Sequence, residues 1–104
     1  MKTNTIKIDV DLKKKEMHVD PHPFYVHTSN SEEVQWVLSP TARNANVNHF
    51  TVTFTGESPF NQAEFDDQRD HSGCASVKPD DKLYTATLTV PGVGTCMIQG
   101  GVKP

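Results

Sequence analysis

A chain of 104 residues can close one hydrophobic core without help from a metal or a disulfide, and it is too short for two domains of ordinary size. Its formal charge of −3, with ten basic residues spread along the chain, lacks the concentrated positive face that a phosphate backbone demands, so nucleic acid is a poor partner. No apolar run approaches the roughly 20 residues of a membrane-spanning helix, and the N-terminus alternates instead of forming a signal peptide's apolar block. These features describe a soluble protein without a membrane partner, cytoplasmic or exported with its leader removed.

In chain order, T-I-K-I-D-V-D-L alternates strictly, which puts Ile6, Ile8, Val10 and Leu12 on one face of a half-buried strand and Lys7, Asp9 and Asp11 on the other. Lys13-Lys14-Lys15, flanked by acids, is a solvated turn. Met17 to Val19 is a short extended piece, and Pro21 with Pro23 removes two amide donors, as suits an edge or a bend. A strand resumes from Phe24 to Thr28. Another runs from Glu33 to Ser39 with Val34, Trp36 and Leu38 facing inward and Trp36 as core anchor, before the polar loop Thr41 to Asn48. In H-F-T-V-T-F, Phe50, Val52 and Phe54 share one face of a strand. Glu57 to Asp70 is a connection with one helical turn, pinned by Phe60 and Phe65. Leu83 to Val90 alternates with Tyr84, Ala86, Leu88 and Val90 inward, Pro91-Gly92 turns the chain, and Thr95 to Val102 is the last strand.

Six to eight strands with no sustained helical period predict one all-β domain over residues 1–104, an antiparallel two-sheet sandwich with little helix. The order V-Q-W-V-L, then a polar loop ending in N-H-F-T-V-T-F, then an aromatic-pinned crossover, then L-Y-T-A-T-L-T-V and a final strand resembles the cupredoxin-like sandwich from Val19 onward, which implies a Greek-key, immunoglobulin-like arrangement. That resemblance implies a first copper ligand at His49. It also implies a Cys, a His and a Met on the loop between the last two strands, a ligand set suited to electron transfer. The segment P-G-V-G-T-C-M-I-Q-G-G-V-K-P holds Cys96 and Met97 but no histidine after the cysteine. Adjacent strand residues also point to opposite faces, so Cys96 faces inward with Ile98 and Val102 while Met97 faces outward. The implied shell therefore lacks type 1 copper, and no cofactor is expected.

Three other groups carry possible chemistry. H-V-D-P-H spaces His18, Asp20 and His22 by two, which aligns them on one side of an extended chain and suits zinc or Cu(II). His71 and Cys74 in H-S-G-C have zinc-like spacing without a companion pair. Cys74 and Cys96 form either one disulfide or two separate thiols. The acids Glu64, Asp66, Asp67 and Asp70 lack the spacing and central glycine of a calcium loop and form a solvated loop. With no base positioned beside a nucleophile, no enzyme is expected. The expected function is a binding or interaction module with a protein partner or a second copy. Its recognition residues lie on the two long loops: Asn44, Asn46 and Asn48 on one, and Phe60, Glu64, Phe65 and Arg69 on the other. The alternative is a copper or zinc carrier or sensor using His49, His18, His22, His71 and Cys74.

Overall fold

The computed structural model describes residues 2–104, of which 51% are strand and 8% helix, so the chain is all-β in character. Strand β1 (Lys2–Asp11) carries the expected alternation: Ile6, Ile8 and Val10 are buried. Leu12 departs from it and is 43% exposed. The strand ends at Asp11, whose Oδ1 accepts the amides of Lys13 and Lys14 at 3.0 and 3.2 Å and turns the chain before Leu12 can reach the core. The turn leads into β2 (Glu16–Asp20), where Met17 and Val19 are half-buried and His18 points out.

Pro21 and Pro23 then deny two amides to any ladder, and the chain leaves the first sheet to form β3 (Phe24–His27) in the second. Strand β4 (Glu32–Leu38) returns to the first sheet, whose order is β2-β1-β4. The second sheet contains β5 (Thr51–Phe54), β6 (Glu64–Asp66), β7 (Leu83–Val90) and β8 (Gly94–Lys103) in the order β3-β8-β7-β5-β6. Neither sheet is purely antiparallel, which corrects the expectation from sequence: β4 runs parallel to β1 and β3 runs parallel to β8. Two strands lie between β1 and β4 in the chain, and one of them belongs to the other sheet, so β4 re-enters in the direction β1 took.

Two local elements also differ from expectation. The polar segment after β4 opens with a short helix, α1 (Pro40–Asn44), because Ser39 accepts the Ala42 amide on its side chain and Pro40 occupies the first turn, where no amide is needed. The connection from Glu57 to Asp70 holds no helical turn; its Glu64–Asp66 segment pairs with β5 as strand β6.

Between the sheets, Trp36 is fully buried among Phe24, Phe54, Phe60 and Phe65, with ring centroids 4.9 to 6.4 Å away. The two aromatics of the long connection thus pin it to the core, as its sequence implies. Trp36 Nε1 has no hydrogen-bond partner among the described residues, so the indole ring is held by packing, while the Trp36 amide donates to the Asp70 carbonyl at 3.0 Å. No helix among the described residues is long and apolar enough to cross a membrane.

Candidate functional site

One end of the sandwich gathers the loop after α1, the turn Pro91–Val93 and the segment after β6. Its organising group is Asp67. One carboxylate oxygen accepts the Phe50 amide at 3.2 Å, and the other lies 3.1 Å from His49 Nδ1, so a residue of the long connection clasps the end of the helix-bearing loop. Partial burial pushes the Asp67 carboxyl up, but the His49 ring and the Phe50 amide outweigh it and hold the group below its ordinary value. Neighbouring carboxylates are also engaged within the protein. Asp66 Oδ1 accepts the amides of Gln68 and Arg69, both at 2.8 Å, and Asp70 Oδ2 accepts Gln35 Nε2 at 3.1 Å. Three of the four acids, Asp66, Asp67 and Asp70, are thus partly exposed and take part in the loop's own hydrogen bonding, while Glu64 is exposed.

The chain's only two arginines, Arg43 and Arg69, stand on the two loops joined in this way. Both are exposed, and among the described residues neither guanidinium forms an ion pair with a carboxylate. Arg43 lines a shallow depression of about 170 Å³ with Asn48, Asp67 and Asp70. Asn46, Asn48 and His49 line a second depression beside Pro91 and Gly92. The end surface is thus polar and fixed at its base, with two planar cations at its margin.

Of the recognition residues expected from sequence, Asn44, Asn46, Asn48 and Arg69 are exposed at this end. Phe60 and Phe65 are each 3% exposed and belong to the aromatic core, so they are unavailable to a partner. Glu64 is exposed but pairs with Thr53, farther along the sheet. Arg43 and Asp67 are the residues that sequence reasoning passes over. Arg43 sits in a run of polar residues with nothing to distinguish it, and Asp67 is one carboxylate among four.

The candidate metal ligands do not form one site. His49 is taken by Asp67, His18 lies 3.7 Å from Glu16, and His71 Nδ1 lies 3.0 Å from the buried Glu33. His22 Nε2 accepts the Gln99 amide at 3.3 Å, and Cys74 Sγ lies 3.8 Å from the Ser31 carbonyl oxygen. Among the described residues, no three His, Cys, Asp or Glu side chains converge as metal ligands. Cys74 and Cys96 are not bridged, and they line separate depressions.

A second concavity lies along the side of the molecule. Strand β8 pairs with β3 only from Gly100 onward, so its first half faces the outer edge of β2 across a groove of about 290 Å³. Met17, His18 and His22 line one wall, and Cys96 and Met97 line the other. Cys96 is half-buried on the inward face and Met97 is 69% exposed, as their alternation implies. Burial pushes the Cys96 thiol above its ordinary value.

No family model, curated protein or solved structure significantly matches the chain.

Proposed function

We propose that this chain is a non-enzymatic protein-binding module on a cupredoxin-like Greek-key shell without a type 1 copper site, and that its partner is a carboxylate-bearing protein segment. Two facing sheets, with a chain that passes from one to the other between β2 and β3, support the shell. The missing copper site is supported by the turn Pro91–Val93, which is too short to present a set of ligands, and by the placement of Cys96 inside the β7–β8 ladder opposite Leu88.

The observation that carries the binding reading is the state of the charges at the loop end. The carboxylates there are hydrogen-bonded within the protein, while Arg43 and Arg69, one on each clasped loop, form no ion pair among the described residues. A guanidinium offers a planar fork matched to a carboxylate, and a surface already fixed at its base loses less freedom on binding.

An array of short peptides of graded Asp and Glu content tests this. Binding to the full chain should rise with carboxylate content, weaken as salt is raised, and fall by about tenfold or more in the Arg43→Ala/Arg69→Ala variant. Binding that ignores both carboxylate content and the two arginines refutes the proposal.

A further inference from the structure

The edges of the two sheets are closed in different ways. Along β4, the Trp36 amide donates to the Asp70 carbonyl at 3.0 Å, the Ser72 amide to the Val34 carbonyl at 2.9 Å, and the Val34 amide to Ser72 Oγ at 2.8 Å. On β3, Glu32 accepts the His27 amide at 2.9 Å and Asn4 Nδ2 donates to the Tyr25 carbonyl at 3.4 Å. Strand β2 carries Glu16, His18 and Asp20 on its exposed face, and β6 is three residues long with an acid at each end, features that discourage a further strand. The first part of β8, residues 94–98, has none of these protections. It holds no charge and no proline, and β3 reaches β8 only at Gly100.

The neighbouring strand shows which way the backbone groups of this stretch point. The Thr85 carbonyl accepts the Thr55 amide at 3.1 Å, so Thr85 turns its backbone towards β5, and its partner Gln99 is left facing away from β7. The Gln99 amide accordingly donates to His22 Nε2 at 3.3 Å on the outer side. By alternation Thr95 and Met97 face the same way. Both are exposed, and no described residue supplies a partner for their outward N–H and C=O groups.

We propose that residues 94–98 pair antiparallel with the same five residues of a second copy, about a two-fold axis at Cys96, so that β8 joins the two larger sheets into one. The open edge sets this register. It begins with the strand at Gly94 and ends where the His22 ring takes the Gln99 amide, so Cys96 is its midpoint. Pairing centred there places Thr95 opposite Met97 of the second copy on each side of the axis. Each of these residues brings one N–H and one C=O, and all of them are then satisfied across the interface. On the outer face Met97, 69% exposed, gains the Thr95 side chain of the second copy as its cross-strand neighbour. On the inner face Ile98 meets only Gly94 of the second copy, which has no side chain to crowd it. A second copy fits this edge because it presents the same uncharged stretch with the same stop at its end. So short a ladder makes a weak dimer that forms as concentration rises. The interface uses neither arginine and does not depend on the binding proposed at the loop end.

Sedimentation of the full chain from micromolar to millimolar concentration tests the interface, with circular dichroism confirming that each variant is folded. The expected result is a monomer that becomes a dimer over this range. Thr95→Lys/Met97→Lys places like charges directly opposite at two positions and should weaken the dimer by about tenfold or more. Thr95→Lys/Met97→Glu places a lysine opposite a glutamate at the same two positions and should restore it. A chain that stays monomeric at millimolar concentration overturns the proposal, as does a dimer indifferent to the double lysine variant or one that the lysine–glutamate variant fails to restore. The readout free of substitutions is amide hydrogen exchange in the wild-type chain. The Thr95 and Met97 amides should exchange more slowly as the dimer forms, and a dimer that leaves both unprotected overturns the assignment.

Discussion

Two adjacent carboxylates at the start of β4 show how much single residues contribute here. Glu32 and Glu33 are 4% and 5% exposed, side by side on a strand that sends them to opposite faces. Glu33 accepts the Thr3 hydroxyl and the Gly73 amide and faces His71. Glu32 accepts the His27 amide at 2.9 Å, the His27 ring at 3.1 Å, and the side-chain amides of Asn4 and Asn30. The His27 amide is the largest cause of its shift, and the set holds Glu32 at about 2 against an ordinary 4.5. A carboxyl depressed on folding contributes stability above its unfolded value and loses it as pH falls through the folded one, so this contribution fades between pH 4.5 and about 2. Glu32→Gln should lower stability at neutral pH by about 1–3 kcal/mol, because part-buried donors lose a charged acceptor. It should also flatten the acid limb. Urea midpoints of both proteins across that pH range are the measurement, and parallel curves would refute the role. Nothing in S-E-E-V marks these acids as buried: Asn4 beside Glu32 and all the named partners of Glu33 come from segments distant in the chain.

The strand faces were legible because alternation is local. The burial of Ile6, Ile8, Val34, Trp36, Tyr84 and Leu88 follows from spacing by two, as does the inward turn of Cys96. The helix α1 was legible in principle from S-P-T-A, a cap followed by proline at the first helical position, but five residues give no period to support the signal. The parallel pairings were not legible, since which strands neighbour each other depends on where the chain changes sheets. The clasp of His49 by Asp67 was hidden for the same reason: the two residues lie on different loops and meet only once β5 and β6 pair.

The cap of α1 gives a prediction at this scale. Ser39 Oγ accepts the Ala42 amide at 3.1 Å and donates to Asp9 Oδ1 at 2.6 Å, fixing the helix to β1, and Ala42 is fully buried beneath it. The Ser39 hydrogen bond is the main cause that lowers the Asp9 pKa. Ser39→Ala should therefore cost about 1–2 kcal/mol and raise the Asp9 pKa towards its model-peptide range. A carboxylate titration followed by NMR, run beside a urea melt, reads both. Lost stability with an unmoved Asp9 would mean that the helix cap matters and the link to β1 does not.

At the scale of the whole molecule, the fold is closed by its last residues. Strand β3 is held in the second sheet by β8, through Phe24 opposite Gly100 and Val26 opposite Val102. The Phe24 ring lies where a side chain at Gly100 would stand, with ring atoms 2.1 to 2.3 Å from the position of a Cβ there, so glycine is what lets the ring lie across β8 and reach Trp36. A chain ending at Gln99 loses this partner strand. Val102, which is fully buried, is removed, and Phe24 and Val26, 2% and 1% exposed, are released to water. At roughly 1.5–3 kcal/mol for each buried side chain of this size, the combined loss is comparable to the 5–15 kcal/mol that typically holds a domain of this length together. The truncated chain should lose the near-ultraviolet circular dichroism of Trp36 and its cooperative melt, even though β1, β2 and β4 keep every residue of their own sheet. A cooperative transition within a few degrees of the intact chain would show that the first sheet and the aromatic cluster are stable without closure, and that β3 is a passenger on β8 rather than the strand that locks the two sheets together.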